Sequence, residues 1–239
     1  MFVVLFAFLS GPVFATGDAV SKFNEGNKAY AEGRWAKAAE LYRGAVDAGM
    51  NNAVVWYNLG CAAWKTGSPG MSVLYFERAL RMNPGDADIK NNLRFVTAHL
   101  AEQPAPEEGF AAFILSFMTL NELLVVLLII VWAFFIMLAL YLRLRKEPLA
   151  WFAGILFLLM LVSGVSSGLI LYDRVNTPRA VVLPARVEVY SGPGRDYTSG
   201  GSLTEGSIVK LFRTQEDWAE IGFKDRYKGW VRTEEVEKI

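Results

Sequence analysis

A hydrolytic triad needs an imidazole beside its nucleophile, and the 239-residue chain has a single histidine, His99, which falls close to the Pro- and Glu-rich stretch EQPAPEEG (residues 102–109) and reads as a solvated surface residue. The only cysteine, Cys61, cannot close an internal disulfide, and no CxxCH is present to carry covalent haem. The sequence contains no HExxH, CxxC or P-loop and no acidic pair at metal-ligand spacing. Gly192 and Gly194 sit in a turn-rich loop, SGPGRDY, and read as turn residues rather than a phosphate cradle. The residue types therefore point away from an enzyme, and neither a cofactor nor a metal is expected. What they leave is recognition through non-covalent contact.

The elements that would present such contacts are set by a membrane. Formal net charge is zero; residues 16–109 carry ten Lys/Arg against eleven Asp/Glu and residues 173–239 eleven of each, so neither end is a basic module and nucleic acid is not an expected partner. Residues 123–142 are twenty uncharged positions, enough for a helix of about 30 Å, the thickness of a bilayer's hydrocarbon core. Residues 149–172 supply twenty-four more, which predicts two transmembrane helices joined by the loop 143–148. Arg143, Arg145 and Lys146 sit in that loop, whereas the preceding flank, residues 103–122, has no Lys or Arg, so the loop is expected on the cytoplasmic side. Residues 1–15 read as a signal peptide, either cut after Ala15 or kept as an anchor; both options export the chain beyond it. The expected location is thus a bacterial inner membrane, spanned twice, with both soluble parts periplasmic. In the linker and interfacial segment, residues 102–122, Phe110, Phe113, Ile114, Phe117 and Met118 recur at helical spacing; the segment either lies along the interface or extends the first span. Within the second span Gly164 and Gly168 form a small-xxx-small pair for helix packing, inside the hairpin or with another membrane protein. Both spans lack ionisable Asp, Glu, Lys, Arg and His, which disfavours an ion pathway.

Between the signal peptide and the linker, Gly26 and Gly60, Gly33 and Gly67, Tyr42 and Phe76, and Ala45 and Ala79 are each 34 residues apart. This period, with WYNLG at 56–60 and Pro84, resembles the tetratricopeptide repeat. Residues 16–101 divide into repeats at 19–52 and 53–86 and a capping helix at 87–101. The resemblance implies a peptide-binding groove lined by Phe23, Asn27, Tyr30, Tyr57, Asn58, Cys61, Trp64 and Lys65. Asn27 and Asn58 match the two asparagines of a carboxylate clamp, but Phe23, Asp88 and Asn92 stand where its cations belong, so a mixed aromatic and polar peptide surface is expected instead. Cys61 also fits as a small packed residue, and Trp64 as inter-repeat packing.

From residue 180 the pattern turns to short β-rich runs, AVVL, RVEVY, SIVKLF, WAEIGF and GWVR, which predict four to six strands in a small barrel, with Gly206 in a tight turn and Gly229 just before the last strand. In order, VEVYSGPGRDY, LTEGSIVKL, DWAEIGF and KGWVRTEEVEKI resemble a bacterial SH3 domain over residues 180–239. That resemblance makes Tyr190, Tyr197, Trp218, Tyr227 and Trp230 candidates for a ligand groove; Trp218 and Trp230 fit equally as barrel core. The fold class is a multidomain membrane protein: all-α tetratricopeptide repeats, a transmembrane helical hairpin and an all-β SH3-like small barrel. This domain order resembles the BatE-type family of the bacterial aerotolerance (Bat) operon. It implies membrane partners with von Willebrand factor A domains, a MoxR-type ATPase system and a role in envelope stress or aerotolerance. Three readings are open: a non-catalytic scaffold, a peptidoglycan-binding sensor, or a regulator of a wall enzyme.

Overall fold

The computed structural model describes residues 17–100, 120–176, 178–223 and 227–239. The expected signal peptide and most of the segment 102–122, with its five apolar residues, lie outside them. Five helices come first: α1 (Gly17–Ala31), α2 (Trp35–Asp47), α3 (Ala53–Lys65), α4 (Pro69–Met82) and α5 (Ala87–His99). Asn52 and Asp86 cap α3 and α5, their side-chain oxygens accepting from Val55 N and from Asp88 N and Ile89 N. The turns inside the first two pairs depend on glycine. Gly33 and Gly67 have φ of 75° and 74°, the left-handed region where a Cβ is strained. There Arg34 N and Ser68 N reach back to the Ala29 and Ala63 carbonyls, both at 2.9 Å.

The 34-residue period is visible as repeated geometry. Phe23 meets Tyr42 with ring centroids 5.7 Å apart, and Tyr57 meets Phe76, one period later, at the same 5.7 Å. Gly26 faces the Tyr42 ring and Gly60 the Phe76 ring, so each glycine lets two helix backbones close on a buried aromatic. Ser72 Oγ, fully buried, ties the second pair by donating to the Gly60 carbonyl at 2.8 Å.

Two long helices follow, α6 (Leu120–Leu144) and α7 (Glu147–Asn176), and both are long and apolar enough to cross a membrane. They pack side by side with Phe134 and Phe157 in ring contact at 5.8 Å. Only Arg145 and Lys146 separate them, so the six-residue loop expected at 143–148 shrinks to two. Arg143 and Leu144 are compatible with a helix end, and Pro148 is tolerated as the second residue of α7, where its missing N–H has no intrahelical partner to lose. A Cβ placed on Gly164 or Gly168 would meet nothing within 4 Å, so this pair does not join α7 to α6.

The C-terminal part is an antiparallel sheet of seven strands: β1 (Arg179–Val182), β2 (Arg186–Tyr190), β3 (Ser199–Thr204), β4 (Ile208–Gln215), β5 (Trp218–Phe223), β6 (Tyr227–Arg232) and β7 (Val236–Lys238). Their order is β3-β2-β6-β5-β4-β1-β7. Seven strands exceed the four to six expected, because β3 is a largely exposed SGGSLT run and β7 only three residues long. Gly206 takes its turn with φ 79°, whereas Gly229 lies inside β6 rather than ahead of the last strand.

The sheet is docked on the helices along α4. Val181, Leu183, Ile208 and Ile239 share a single apolar core with the helical residues. At the start of α4 the Gly70 N–H donates to the Glu205 carboxylate at 2.7 Å, so the sheet supplies a cap that Ser68 does not. Near its end Arg78 lies 5.0 Å over the Trp56 ring and donates to Glu237 at 2.8 Å and to the Lys238 carbonyl at 2.7 Å. Arg81 donates to the Ile239 carbonyl. Between these ends Glu77, only 6% exposed, faces Arg179 of β1 at 3.8 Å.

Candidate functional site

On the helical stack, side chains of α1, α3 and α5 meet in a polar and aromatic surface. Asn27 Oδ1 accepts from Tyr42 OH at 2.9 Å and from Asn58 Nδ2 at 3.0 Å, which ties three helices through one amide. The Tyr57 hydroxyl accepts from Asn92 of α5 at 2.8 Å and lies beside the Cys61 thiol; burial first, and then that thiol, pushes the Tyr57 phenol up to about 12. Burial likewise raises the Cys61 and Tyr30 groups, which disfavours a reactive thiolate. Trp64 forms an aromatic trio with Phe95 and His99, the centroids 5.3 Å from Trp64 to each and 4.3 Å between the two. Lys65 is the outlier of the expected set: its Nζ sits 5.6 Å over the Trp35 ring at the start of α2.

Asn92 was noted only as a clamp position without its cation, and Phe95 and His99 were not among the expected groove residues. Carrying the period through α5 finds them, since they stand 34 residues after Asn58, Cys61 and Lys65. His99 is exposed, as expected, yet it is packed edge-on to Trp64 rather than standing free.

The groove positions differ in what they hold up. Asn58→Asp is expected to lower the melting temperature by only a few degrees, because one half-exposed amide bond contributes about 1 kcal/mol. Tyr57→Ala removes the ring against buried Phe76 and the partner of Asn92, and should cost about 3 kcal/mol or more, a drop of over 10 °C. Thermal unfolding followed by circular dichroism measures both; equal shifts would show that Tyr57 carries no inter-helix packing.

On the sheet, the five expected ligand residues separate into different environments. Trp218 and Trp230 are 9% and 5% exposed, so both are buried in the body of the sheet. Their rings are covered by guanidinium groups, Arg232 at 5.5 Å over Trp218 and Arg213 at 5.1 Å over Trp230, with Arg213 also paired to Glu220 at 2.7 Å. Tyr190 stands edge-on to Trp218 at 5.5 Å and donates to Glu188 at 3.0 Å, and that carboxylate raises its phenol. Tyr197 and Tyr227 are exposed, 51% and 70%; Tyr197 covers Gly192 and Gly194 on the β2–β3 connection, and Tyr227 opens β6. The most open rings are therefore those of Tyr197 and Tyr227, while Tyr190 rests edge-on against Trp218.

These features define a helical stack and an antiparallel sheet joined as one body and carried by an apolar hairpin. Residues 185–237 match the family model of the bacterial SH3 domain. Strand β1, which carries Arg179 and Val181 into the contact with α4, lies outside the matched residues. No curated protein matches the chain.

Proposed function

We propose that the chain is a non-catalytic inner-membrane scaffold that presents two recognition surfaces, a groove of tetratricopeptide-type helices and a tyrosine-rich SH3 surface, on one rigid body outside the membrane. The observation that carries this reading is the docking of the sheet on α4. A fixed body holds two peptide-sized surfaces at a set spacing, which raises the effective concentration of the second contact once the first is made. The docking also supports the topology, because helices that precede the hairpin can touch a sheet that follows it only if both lie on one side. Two crossings return the chain to that side; one does not. The ligands are extended peptide segments of membrane partners, and the BatE-type domain order suggests proteins with von Willebrand factor A domains and a MoxR-type ATPase system, in a complex serving envelope stress or aerotolerance.

The family match favours one second reading. Bacterial SH3 domains bind peptidoglycan as well as proteins, so the tyrosine surface would then grip the wall and the helical groove would report to a partner. Detergent-solubilised intact protein incubated with isolated wall sacculi separates the two. The scaffold reading expects no retention above that of a Tyr197→Ala/Tyr227→Ala variant, with affinity purification from membranes recovering a partner. Retention lost in that variant would transfer the function to the wall.

A further inference from the structure

The joint between α4 and the sheet contains a group that no recognition surface uses. Glu77 lies on the face of α4 covered by the sheet, its side chain 8% exposed, with Arg179 of β1 at 3.8 Å as its ion-pair partner. A carboxylate taken from water needs strong compensation, and here it is thin. Arg179 is 44% exposed on its side chain, which weakens its attraction. Arg81 of α4 acts on Glu77 as the second cation, but it donates to the Ile239 carbonyl. Arg78 is taken by Glu237 and the Lys238 carbonyl of β7. On β4 the residue opposite Arg179 is Lys210, and α3 brings only Lys65, which is held over Trp35. Of the acids on α5, Asp86 is spent capping its own helix, and Asp88 is exposed.

We propose that the joint between the helical stack and the sheet is an acid-tightened latch, with the Glu77 carboxylate as its titrating group. Docking buries the group and separation returns it to water. Burial raises its pKa from the ordinary 4.5, and the attraction of Arg179 and then Arg81 offsets this only in part. A group whose pKa is higher in the docked state binds its proton more readily there. Its contribution to docking is therefore full below 4.5 and is lost as pH rises through the docked value. Above the docked value the joint carries a buried charge and is at its loosest; acidification through that value removes the charge and closes it. Glu205 and Glu237 act in the opposite sense, since each accepts a hydrogen bond as a carboxylate. Comparison with a Glu77 variant isolates the one group from the other two.

Intact protein in lipid nanodiscs, with Cys61→Ala and spin labels at the exposed positions Glu40 and Asp196, reports the distance between stack and sheet by double electron–electron resonance. Arg78→Ala is added so that docked and separated populations are both measurable, with Glu205→Ala as a further weakening step if the joint stays closed at pH 7.5. The docked-to-separated ratio should rise as pH falls from 7.5 to 5 with Glu77 present. With Glu77→Gln it should start higher at pH 7.5 and not rise on acidification. A ratio that falls or stays level with Glu77 present, an equal rise in Glu77→Gln, or a joint closed at every pH in the doubly weakened protein would each overturn the latch.

Discussion

Substituting Gly60 with valine is expected to unfold the helical stack or lower its melting temperature by more than about 15 °C. A Cβ at Gly60 would stand 2.7 Å from both Cδ1 and Cε1 of Phe76, a separation that real Cβ atoms do not adopt. The ring cannot turn away, because Phe76 is 1% exposed and already held against Tyr57. Nor can α3 retreat from α4 without stretching the buried Ser72 bond to the Gly60 carbonyl. Overpacking costs about 1–3 kcal/mol and a stranded buried hydroxyl about 1–3 more, and a small domain loses about 4–8 °C per kcal/mol. Gly26, one period earlier, faces the Tyr42 ring at 2.6 Å and should behave alike. Gly44→Ala is the contrast. Its Cβ would meet only the flexible Lys22 chain at 3.3 Å, and alanine favours the helix by about 1 kcal/mol. A Gly60→Val protein melting within a few degrees of the parent would show that the backbones do not close on that ring.

The same glycines explain why this part of the fold was legible. Helix pairs that cross on glycine and turn on left-handed glycine must repeat those residues at a fixed interval, and Gly26, Gly60, Gly33 and Gly67 keep it. The apolar hairpin was equally plain, because length and uniform hydrophobicity need no partner to be read. Its turn was not, since Arg143 and Leu144 suit a helix end as well as a loop. Strand β3 escaped because SGGSLT is mostly exposed and carries no alternation.

The groove was half legible. Asn27 and Asn58 were singled out as ligand contacts, yet much of their hydrogen bonding joins α1, α2 and α3. His99 reads as a solvated surface residue and is exposed, but its packing with Phe95 against Trp64, about thirty residues away in sequence, was not legible. The joint with the sheet was not legible at all. Glu77, Arg78 and Arg81 on α4 have the spacing of an ordinary solvated helix face. Only the approach of β1 and β7, about a hundred residues or more later in the chain, makes that face an interior.

A reporter enzyme that works only outside the cytoplasm, alkaline phosphatase, is expected to be fully active when fused after Ala105 or Ile239 and inactive when fused after Lys146. Two independent arguments lead to this result. Arg145 and Lys146 form the turn between α6 and α7, with Arg143 in the last turn of α6, and a short loop with clustered cations is retained on the cytoplasmic side. The docked joint supplies the second. Leu100, the last described residue of the stack, packs against Gly206, and only two residues separate the start of β1 from the end of α7 at Asn176. Under the proposed membrane reading, stack and sheet must then share one side of the bilayer, which requires α6 and α7 to cross an even number of times between them. Activity after Lys146 with silence at the other two positions would leave the joint intact but invert the whole body into the cytoplasm. Activity at only one of Ala105 and Ile239 would be more damaging. It would mean a single crossing, which places stack and sheet on opposite sides and leaves the contacts of α4 with Glu205, Arg179 and Glu237 no way to form within one chain.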